Sequence, residues 1–375
     1  MVWLGGDTIA KLKLNEVSGA LGDLGTFLPH VIGAITLASL NPAGVFTMFG
    51  LLYVASGLFY RIPMAVQPMK AASAAILIQQ ATPGEIAAAG LILGSLLTFL
   101  AFSGLMEKLA KITPRSITSG IQLGLGFSLA LLGFKLVSKD LVLGILVLVV
   151  MLPFSFSKSW PGAITGVIVG VVYSFLSGKI TGFPQIQAGF YLPPLVLPTM
   201  ADVQAGIFKI VIPQLPLTIT NAIIISSLLA KRLFPQANRV NVRNLALTQG
   251  LGNLIAAPFG GYLMCHGGGG LVAHHRFGAR TWAAPVMLGT CLLLAGLFLG
   301  HEALKIFRLI PEPALGALLV YGGLDLARSM EYPKRTQEMF VILVVSIISV
   351  WTNPSWGYLL GLPIVYGINK GWLKP

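Results

Sequence analysis

Apolar residues run along this chain in stretches of membrane-span length, separated by short polar or Pro/Gly-rich punctuation. A span needs about 20 mostly apolar residues, fewer where the segment is broken at mid-membrane. Read this way, the pattern predicts segments near 17–38, 43–60, 68–79, 85–104, 115–134, 140–155 and 160–177. A second set follows near 207–229, 243–257, 267–275, 282–300, 310–327, 337–352 and 354–371. Between them, 178–206 carries Pro184, Pro193, Pro194 and Pro198 and reads as a linker. The expected fold is an all-α polytopic membrane protein with about 14 transmembrane segments.

The third segment of each set is too short to span and adjoins a Pro or Gly cluster: R-I-P-M-A-V-Q-P-M-K at 61–70 and P-F-G-G-Y-L-M-C-H-G-G-G-G at 258–270. Interrupted segments at matching positions in two halves point to an inverted-repeat transporter with its site between the halves. Pro63 and Pro258 lie 195 positions apart, and Asp23 and Asn221 lie 198 apart, so two landmarks share one offset. An odd number of spans per half makes the second half enter from the opposite side. The expected organisation is a first repeat over 1–177, a linker over 178–206 and a second repeat over 207–375. Core and gate domains would each draw on both repeats, and the third and tenth helices would be broken and preceded by short extended strands.

Composition narrows the class. Of 375 residues, 55% are apolar and 10% charged, against about 25% charged in a soluble domain; mean hydropathy is +0.83. A net charge of +13 would suggest nucleic acid in a soluble protein. Here it follows the predicted loops. With a cytoplasmic N-terminus, eighteen Lys and Arg fall on inner loops and ends, among them Arg61, Arg115, Arg239, Arg280 and Arg335. Only five fall outside: Lys135, Lys139, Lys179, Lys305 and Arg308. That bias has the positive-inside sign, placing both termini in the cytoplasm of a cell-membrane protein that needs no nucleic acid. Cys265 and Cys291 show no C-x-x-C spacing, so neither a disulfide framework nor a zinc site is expected. No metal and no cofactor is expected. The first apolar stretch has full span length, unlike a cleavable signal, and the chain reads as mature with no soluble regulatory domain.

Several segments carry chemistry. N-E-V-S-G-A-L-G-D-L-G-T-F-L-P at 15–29 places Asp23 inside the first span, with Gly19, Gly22 and Gly25 at small-residue packing intervals. An intramembrane carboxylate costs at least about 2.5–3.5 kcal/mol and is a functional hypothesis by default; the plainer reading is a helix-pinning group paired with Lys11 or Lys13. In P-M-A-V-Q-P-M-K-A at 63–71, Pro63 and Pro68 oppose helix before them while Pro68 suits a first turn. The new helix would aim unpaired N–H groups into the protein, with Gln67 as an amide donor and Lys70 as a full positive charge. Lys70 either pairs with Asp23 or meets substrate, and the second is favoured. Y-L-M-C-H-G-G-G-G-L at 262–271 repeats the geometry with His266 and four glycines. His274, His275 and Arg276 read as a polar helix end facing headgroups. In the eighth span Gln214, Thr218, Thr220 and Asn221 supply uncharged donors, and no carboxylate lies in that span. The H-G-G-G run lacks the G-x-S-x-G partner of a lipase, and no Ser/Lys, paired Asp or H-E-x-x-H arrangement is evident, so an enzyme is not expected.

Together, S-G-A-L-G-D-L-G-T-F-L-P, P-M-A-V-Q-P-M-K-A and C-H-G-G-G-G-L-x-x-H-x-R-F-G-A-R-T resemble the signature segments of the molybdate transporter family within the sulfate permease superfamily. The resemblance implies the seven-plus-seven fold of uracil permease-like transporters and import of molybdate, a tetrahedral dianion. It places Gln67, Lys70, His266 and the glycines Gly267, Gly268, Gly269 and Gly270 in the central motifs, and Asp23, Gly25 and Thr26 in the first; Met69 is expected to bind beside them. Asn221 joins the expected binding set. Tungstate and sulfate share the dianion's charge and shape, and a sulfate or other oxyanion permease, an anion exchanger and an anion channel stay open. Lipid, protons and a second copy of the chain complete the expected partners.

Importing a dianion against an inside-negative potential costs about 2.3 kcal/mol per charge per 100 mV, about 4.6 kcal/mol in all. With no P-loop in the chain, proton symport is the preferred coupling. Asp23 and His266 are candidate carriers. Glu85 is weaker because dipole capping at an outer helix start explains it well.

Overall fold

The computed structural model describes residues 14–106, 114–155, 162–180, 182–328, 330–352 and 354–373. It is mostly helical. The first half holds α1 (Leu14–Thr36), α2 (Pro42–Tyr60), the two-residue strand β1 (Gln67–Pro68), α3 (Lys70–Gln79), α4 (Pro83–Ser103), α5 (Arg115–Val137), α6 (Leu141–Ser155) and α7 (Gly162–Leu176). The second holds α8 (Met200–Leu233), α9 (Val242–Ala256), β2 (Met264–Cys265), α10 (Gly268–Arg276), α11 (Ala283–Phe298), α12 (Ala303–Phe307), α13 (Glu312–Arg328), α14 (Thr336–Trp351) and α15 (Pro354–Asn369).

Among the described residues, α2, α4, α5 and α8 are each long and apolar enough to cross a membrane, and α11 joins Gly300–Phe307 in a pair bent by 103°. Side chains such as Phe99, Phe102, Val142, Val149 and Ile347 stand exposed, as expected of a surface meeting hydrocarbon rather than water. This is a membrane protein.

Local chemistry sets the helix ends. Asn41 accepts from the Ala43 N–H at 2.9 Å, with Pro42 in the first turn of α2. Thr82 and Glu85 form a capping box at the start of α4. A second box, Thr199 with Asp202, starts α8 at Met200, inside the 178–206 stretch read as linker. The apolar run marked the interior of α8, whereas the T-x-x-D signature marks where it begins. Within α8, Pro213 and Pro216 lack the N–H that an α-helix needs. The helix adapts with π-helical turns at Ile207–Val211 and Thr218–Ile225, and the Ile212 N–H reaches back to the Ile207 carbonyl.

The two halves pack by exchanged pairs. α2 lies on α11 as α4 lies on α9; α5 meets α14 as α13 meets α6; α1 meets α10 as α8 meets α3. Two apolar clusters result. One joins α1, α2, α4 and α8–α11, including Phe27, Phe49, Ile86 and Leu271. The other joins α5, α6 and α13–α15, including Ile121, Leu129, Leu318 and Val345. Helix α3 lies between them, giving Ala72 and Ile76 to the first and Ala71, Ala74 and Ala75 to the second. Its alanines let both bundles come close.

Three helix crossings are built from glycine facing glycine. A Cβ on Gly126 would fall 2.6 Å from the Gly323 oxygen, and one on Gly316 would fall 2.6 Å from the Gly133 oxygen, both at α5–α13. Gly50 and Gly289 face each other at α2–α11, Gly94 and Gly250 at α4–α9. Lipid gives no hydrophobic drive to helix association, so close backbone approach supplies the packing instead. Gly126→Val should therefore destabilise the protein by about 1–3 kcal/mol through overpacking. Gly182→Ala, at a position with nothing within 4 Å, should change nothing. Thermal unfolding in detergent checks both, and equal melting temperatures for the two variants would refute the packing role.

Candidate functional site

The site starts from two interrupted helices. α2 ends at Arg61 in the left-handed region (φ 58°), and Pro63 and Pro68 keep 61–69 from resuming helix. In the second half a 3₁₀ turn at Ala257–Phe259 ends at Gly260 (φ 63°), after which the chain runs extended to Gly267. Extended backbone inside a membrane protein must find partners for its N–H and C=O groups. The two segments find each other: β1 and β2 pair antiparallel, Gln67 opposite Cys265 and Pro68 opposite Met264. The Met69 N–H extends the pairing to the Leu263 oxygen at 3.0 Å. Asn253 serves the far edge of β2, accepting from the Met264 N–H at 2.9 Å and donating to the Met264 carbonyl at 2.7 Å.

This pairing sets the N-termini of α3 and α10 side by side. Their N-cap residues, Met69 and Gly267, supply no side-chain cap, so the dipole ends stay open toward the space between them. Lys70 occupies the first position of α3, where a cation opposes the dipole. Its Nζ lies 3.8 Å from where a Cβ on Gly269 would stand, so one ammonium adjoins both helix tips. Gly267 and Gly270 leave room for Gln67: a Cβ on Gly267 would fall 2.6 Å from Gln67 Oε1, and one on Gly270 would fall 2.7 Å from Nε2. Lys70 Nζ lies 3.8 Å from Asp325 Oδ2 on α13. Asp23, the other partner considered for it, is engaged elsewhere.

Asp23 is fully buried in α1. Tyr53 and Gln67 Nε2 donate to its two oxygens, and His274 Nε2 lies 3.3 Å from Oδ2. His274 Nδ1 meets the Gly19 carbonyl at 2.8 Å. His274 is fully buried, which corrects the expectation of a histidine facing headgroups: it points inward from α10 onto α1 while its neighbour His275 stays near the surface. Gly19 and Gly22 are packing positions, closed against Ala279 and Phe277. The side chains at Gly25 and Thr26 lie outside the described residues, as do Lys11 and Lys13.

Other expected site residues take supporting positions. His266 is fully buried, with Nδ1 2.9 Å from the Ala65 oxygen and Nε2 2.9 Å from Thr248 Oγ1; Thr248 continues to the Tyr60 hydroxyl at 2.7 Å. Ser226 donates to the His266 carbonyl at 2.8 Å. The histidine thus braces the strand pair. Gln214, read as a donor to ligand, accepts from the Ala72 N–H at 2.8 Å and donates to Thr218 at 2.8 Å, filling one open group of α3. Thr220 donates to the Pro216 carbonyl. Asn221, in the second π turn, lines a cavity of about 900 Å³ with Arg115, Gln122, Thr220, Arg335 and Asn369. Glu85 joins its capping box and is held by Lys209 at 2.7 and 2.9 Å.

Sequence reasoning passed over two ionisable groups, His274 and Asp325. Asp325 had a signal, since it is a carboxylate in the apolar run 310–327. His274 had less, because its seventh place in a short half-helix does not say which side it faces.

Comparison with known proteins gives this geometry a family. A profile described as molybdate transporter of MFS superfamily matches residues 15–129 and 206–326, covering α1–α4, both strands and α10. The chain belongs to the molybdate transporter family. This family member is 31% identical to Molybdate transporter 1 of Arabidopsis thaliana over 98% of its length and 91% of the relative's. It is 26% identical to Molybdate transporter 1 of Chlamydomonas reinhardtii, covering 95% and 91%. In fold it is similar to the transmembrane domain of the cyanobacterium bicarbonate transporter BicA (TM-score 0.69, 16% identity, covering 94% and 97%). It is likewise similar to the murine anion transporter Slc26a9 in its inward-facing state (TM-score 0.68, 14% identity, covering 98% and 70%). The family member thus shares its fold with these two transporters, and the relatives it matches in sequence are named as transporters.

Asn253 is the residue on which the paired strands lean most. Asn253→Ala leaves a buried donor and a buried acceptor of Met264 unpaired and should cost about 2–4 kcal/mol, given about 1–3 kcal/mol per unsatisfied group. Asn253→Asp keeps the acceptor alone and should fall between. Equal stability of all three proteins in detergent would show that β2 does not depend on this side chain.

Proposed function

We propose that this chain imports molybdate across the cell membrane by proton-coupled symport, holding the oxyanion between the N-termini of α3 and α10. The observation that carries this reading is the β1–β2 pairing, which brings two helix tips, neither capped by its own N-cap side chain, and Lys70 to one point. Backbone N–H groups, two positive dipole ends and one ammonium together favour a small, strongly negative solute. The relatives' names supply the solute. Gln67, Met69, Lys70, Asn221 and the glycines from Gly267 to Gly269 form the binding set, to which the motif of the first span adds Gly25 and Thr26, with His266 bracing the strands.

The body would be 14 membrane segments in two inverted repeats, 1–177 and 207–375, joined by a linker. The exchanged helix pairs support this reading: an antiparallel strand pair flanked by swapped contacts is what a pseudo-two-fold axis in the membrane plane produces. The two apolar clusters would be core and gate. Both termini would be cytoplasmic, by the charge bias, and the cavity beside Arg115 and Arg335 would then open inward.

Asp23 and His274 are the candidate proton carriers. His274 Nδ1 faces a carbonyl oxygen and so carries a hydrogen. Its Nε2 lies 3.3 Å from the Asp23 Oδ2. A buried carboxylate and a buried imidazole in proximity, the imidazole on the binding helix α10 itself, suit coupling. Glu85, paired with Lys209, and His266, with both ring nitrogens engaged, are less suited.

Lys70→Ala should abolish molybdate uptake into proteoliposomes while leaving the protein monodisperse, since a charge-assisted contact is worth about 1.5–3 kcal/mol and binding here depends on it. Undiminished uptake by that variant would remove the ion from this site. Acidifying the outside should stimulate wild-type uptake, and Asp23→Asn should lose the stimulation. Uptake by the wild type that ignores the gradient would favour electroneutral anion exchange.

A further inference from the structure

One ion pair joins the binding helix α3 to α13 of the second bundle. Lys70 stands at the first position of α3, and Asp325 stands near the end of α13, their charged atoms 3.8 Å apart. The Asp325 side chain is 56% exposed and that of Lys70 26%, so the carboxylate faces open space beside the helix tips rather than protein interior. α13 belongs to the second apolar cluster and is fixed to α5 by the Gly126–Gly323 and Gly133–Gly316 contacts. Between Pro313 and Leu324 it carries no other charge.

With no substrate, two dipole ends and an ammonium confront one another, an arrangement poor in negative charge. We propose that Asp325 is a resident stand-in for the substrate anion: it neutralises Lys70 in the empty carrier and yields to the oxyanion on loading. This rests on the proposed oxyanion site. A dianion seated between the tips of α3 and α10 takes up Lys70 and repels the Asp325 carboxylate, so both cannot hold the ammonium. Because Asp325 rides on the opposite bundle, exchanging it for substrate breaks a link between the bundles. Lys70 is compensated in both states, loaded and empty, which spares the empty carrier from moving an uncompensated charge through low dielectric on its return. Of the other ionisable groups on α13 and the elements packed against it, Glu16 accepts from the Arg280 N–H, Asp23 belongs to its own cluster, Arg115 pairs with Glu331, His30 of α1 is buried, Lys135 stands in the last turn of α5 and Arg328 one turn beyond Asp325.

Asp325→Asn tests the idea in the full chain reconstituted in liposomes, with molybdate as the probe. Freed of its competitor, Lys70 should bind substrate more tightly, and the half-saturation concentration should fall about fivefold or more. Net uptake, which needs return of the empty carrier, should slow about tenfold. Molybdate–molybdate counterflow, which does not, should persist. Asp325→Glu, which restores the charge, should recover net uptake. Asp325→Ser serves as a second neutral variant should the asparagine protein be poorly made. An unchanged or raised half-saturation concentration, or loss of net uptake and counterflow together in both neutral variants, overturns the proposal. Lys70→Ala run alongside separates the two readings: if it transports normally the oxyanion site itself is wrong, whereas if it fails while Asp325→Asn behaves as wild type only the stand-in role is lost.

Discussion

Two extended segments that satisfy each other inside a membrane protein are the constraint on which the rest depends. Each unpaired backbone group in hydrocarbon costs several kcal/mol, so neither helix interruption would be stable alone. β1 and β2 make the interruptions tolerable by pairing, and the pairing is antiparallel, so α3 and α10 depart from it with their N-termini at one place. The stability solution and the proposed ligand geometry rest on the same contact. Several polar side chains around it then act as splints. Asn253 closes the edge of β2, His266 reaches the Ala65 carbonyl, Ser226 holds the His266 carbonyl, and Gln214 takes one N–H of α3.

Charge follows the same economy. The buried carboxylate of Asp23 is surrounded by Tyr53, Gln67 and His274, each from a different element, so its burial binds α1, α2, β1 and α10 together. Gln67 is the pivot: its amide donates to Asp23, and its other end lies against the glycines that open α10. A change at the helix tips therefore reaches the carboxylate through one side chain. Lys70 is treated differently, half-open to solvent and answered by a carboxylate from the other bundle.

The helices and the two interruptions were legible because hydrocarbon imposes length and Pro and Gly impose breaks, and these are properties of sequence alone. The expected segment at 243–257 and helix Val242–Ala256 differ by a residue at each end. The start of α8 was misplaced because its first turn is polar, where a capping box, not hydropathy, carries the signal. Side-chain roles were less legible. Gln214 and His266 look from composition like ligand donors, yet the structure spends them on backbone groups that the interruptions leave open. Which buried polar residues serve the fold and which are left for a solute depends on where unpaired N–H and C=O groups end up. His274 was misread because the side it faces depends on the rotation of a nine-residue helix, and the contacts that accompany that rotation, Gly19 with Ala279 and Gly22 with Phe277, come from a segment about 255 positions away in the chain.

The likeness in fold to BicA and Slc26a9 at 16% and 14% identity fits this division. Backbone N–H groups and helix dipoles are insensitive to side-chain identity, so a scaffold that converges two helix tips can survive extensive substitution as long as the strand pair and its splints hold. On the proposed reading, a preference for small anions would come from backbone donors at the helix tips, and discrimination among anions would not. It must lie with the few side chains that differ in charge and reach at the tips, and on the proposed reading these are Lys70, Gln67 and Asn221, with Asp325 setting how much negative charge a solute must bring to displace it. A monoanion offers Lys70 little more than the resident carboxylate already does, whereas a dianion outbids it, so the same contact that quiets the empty site would also select for doubly charged cargo.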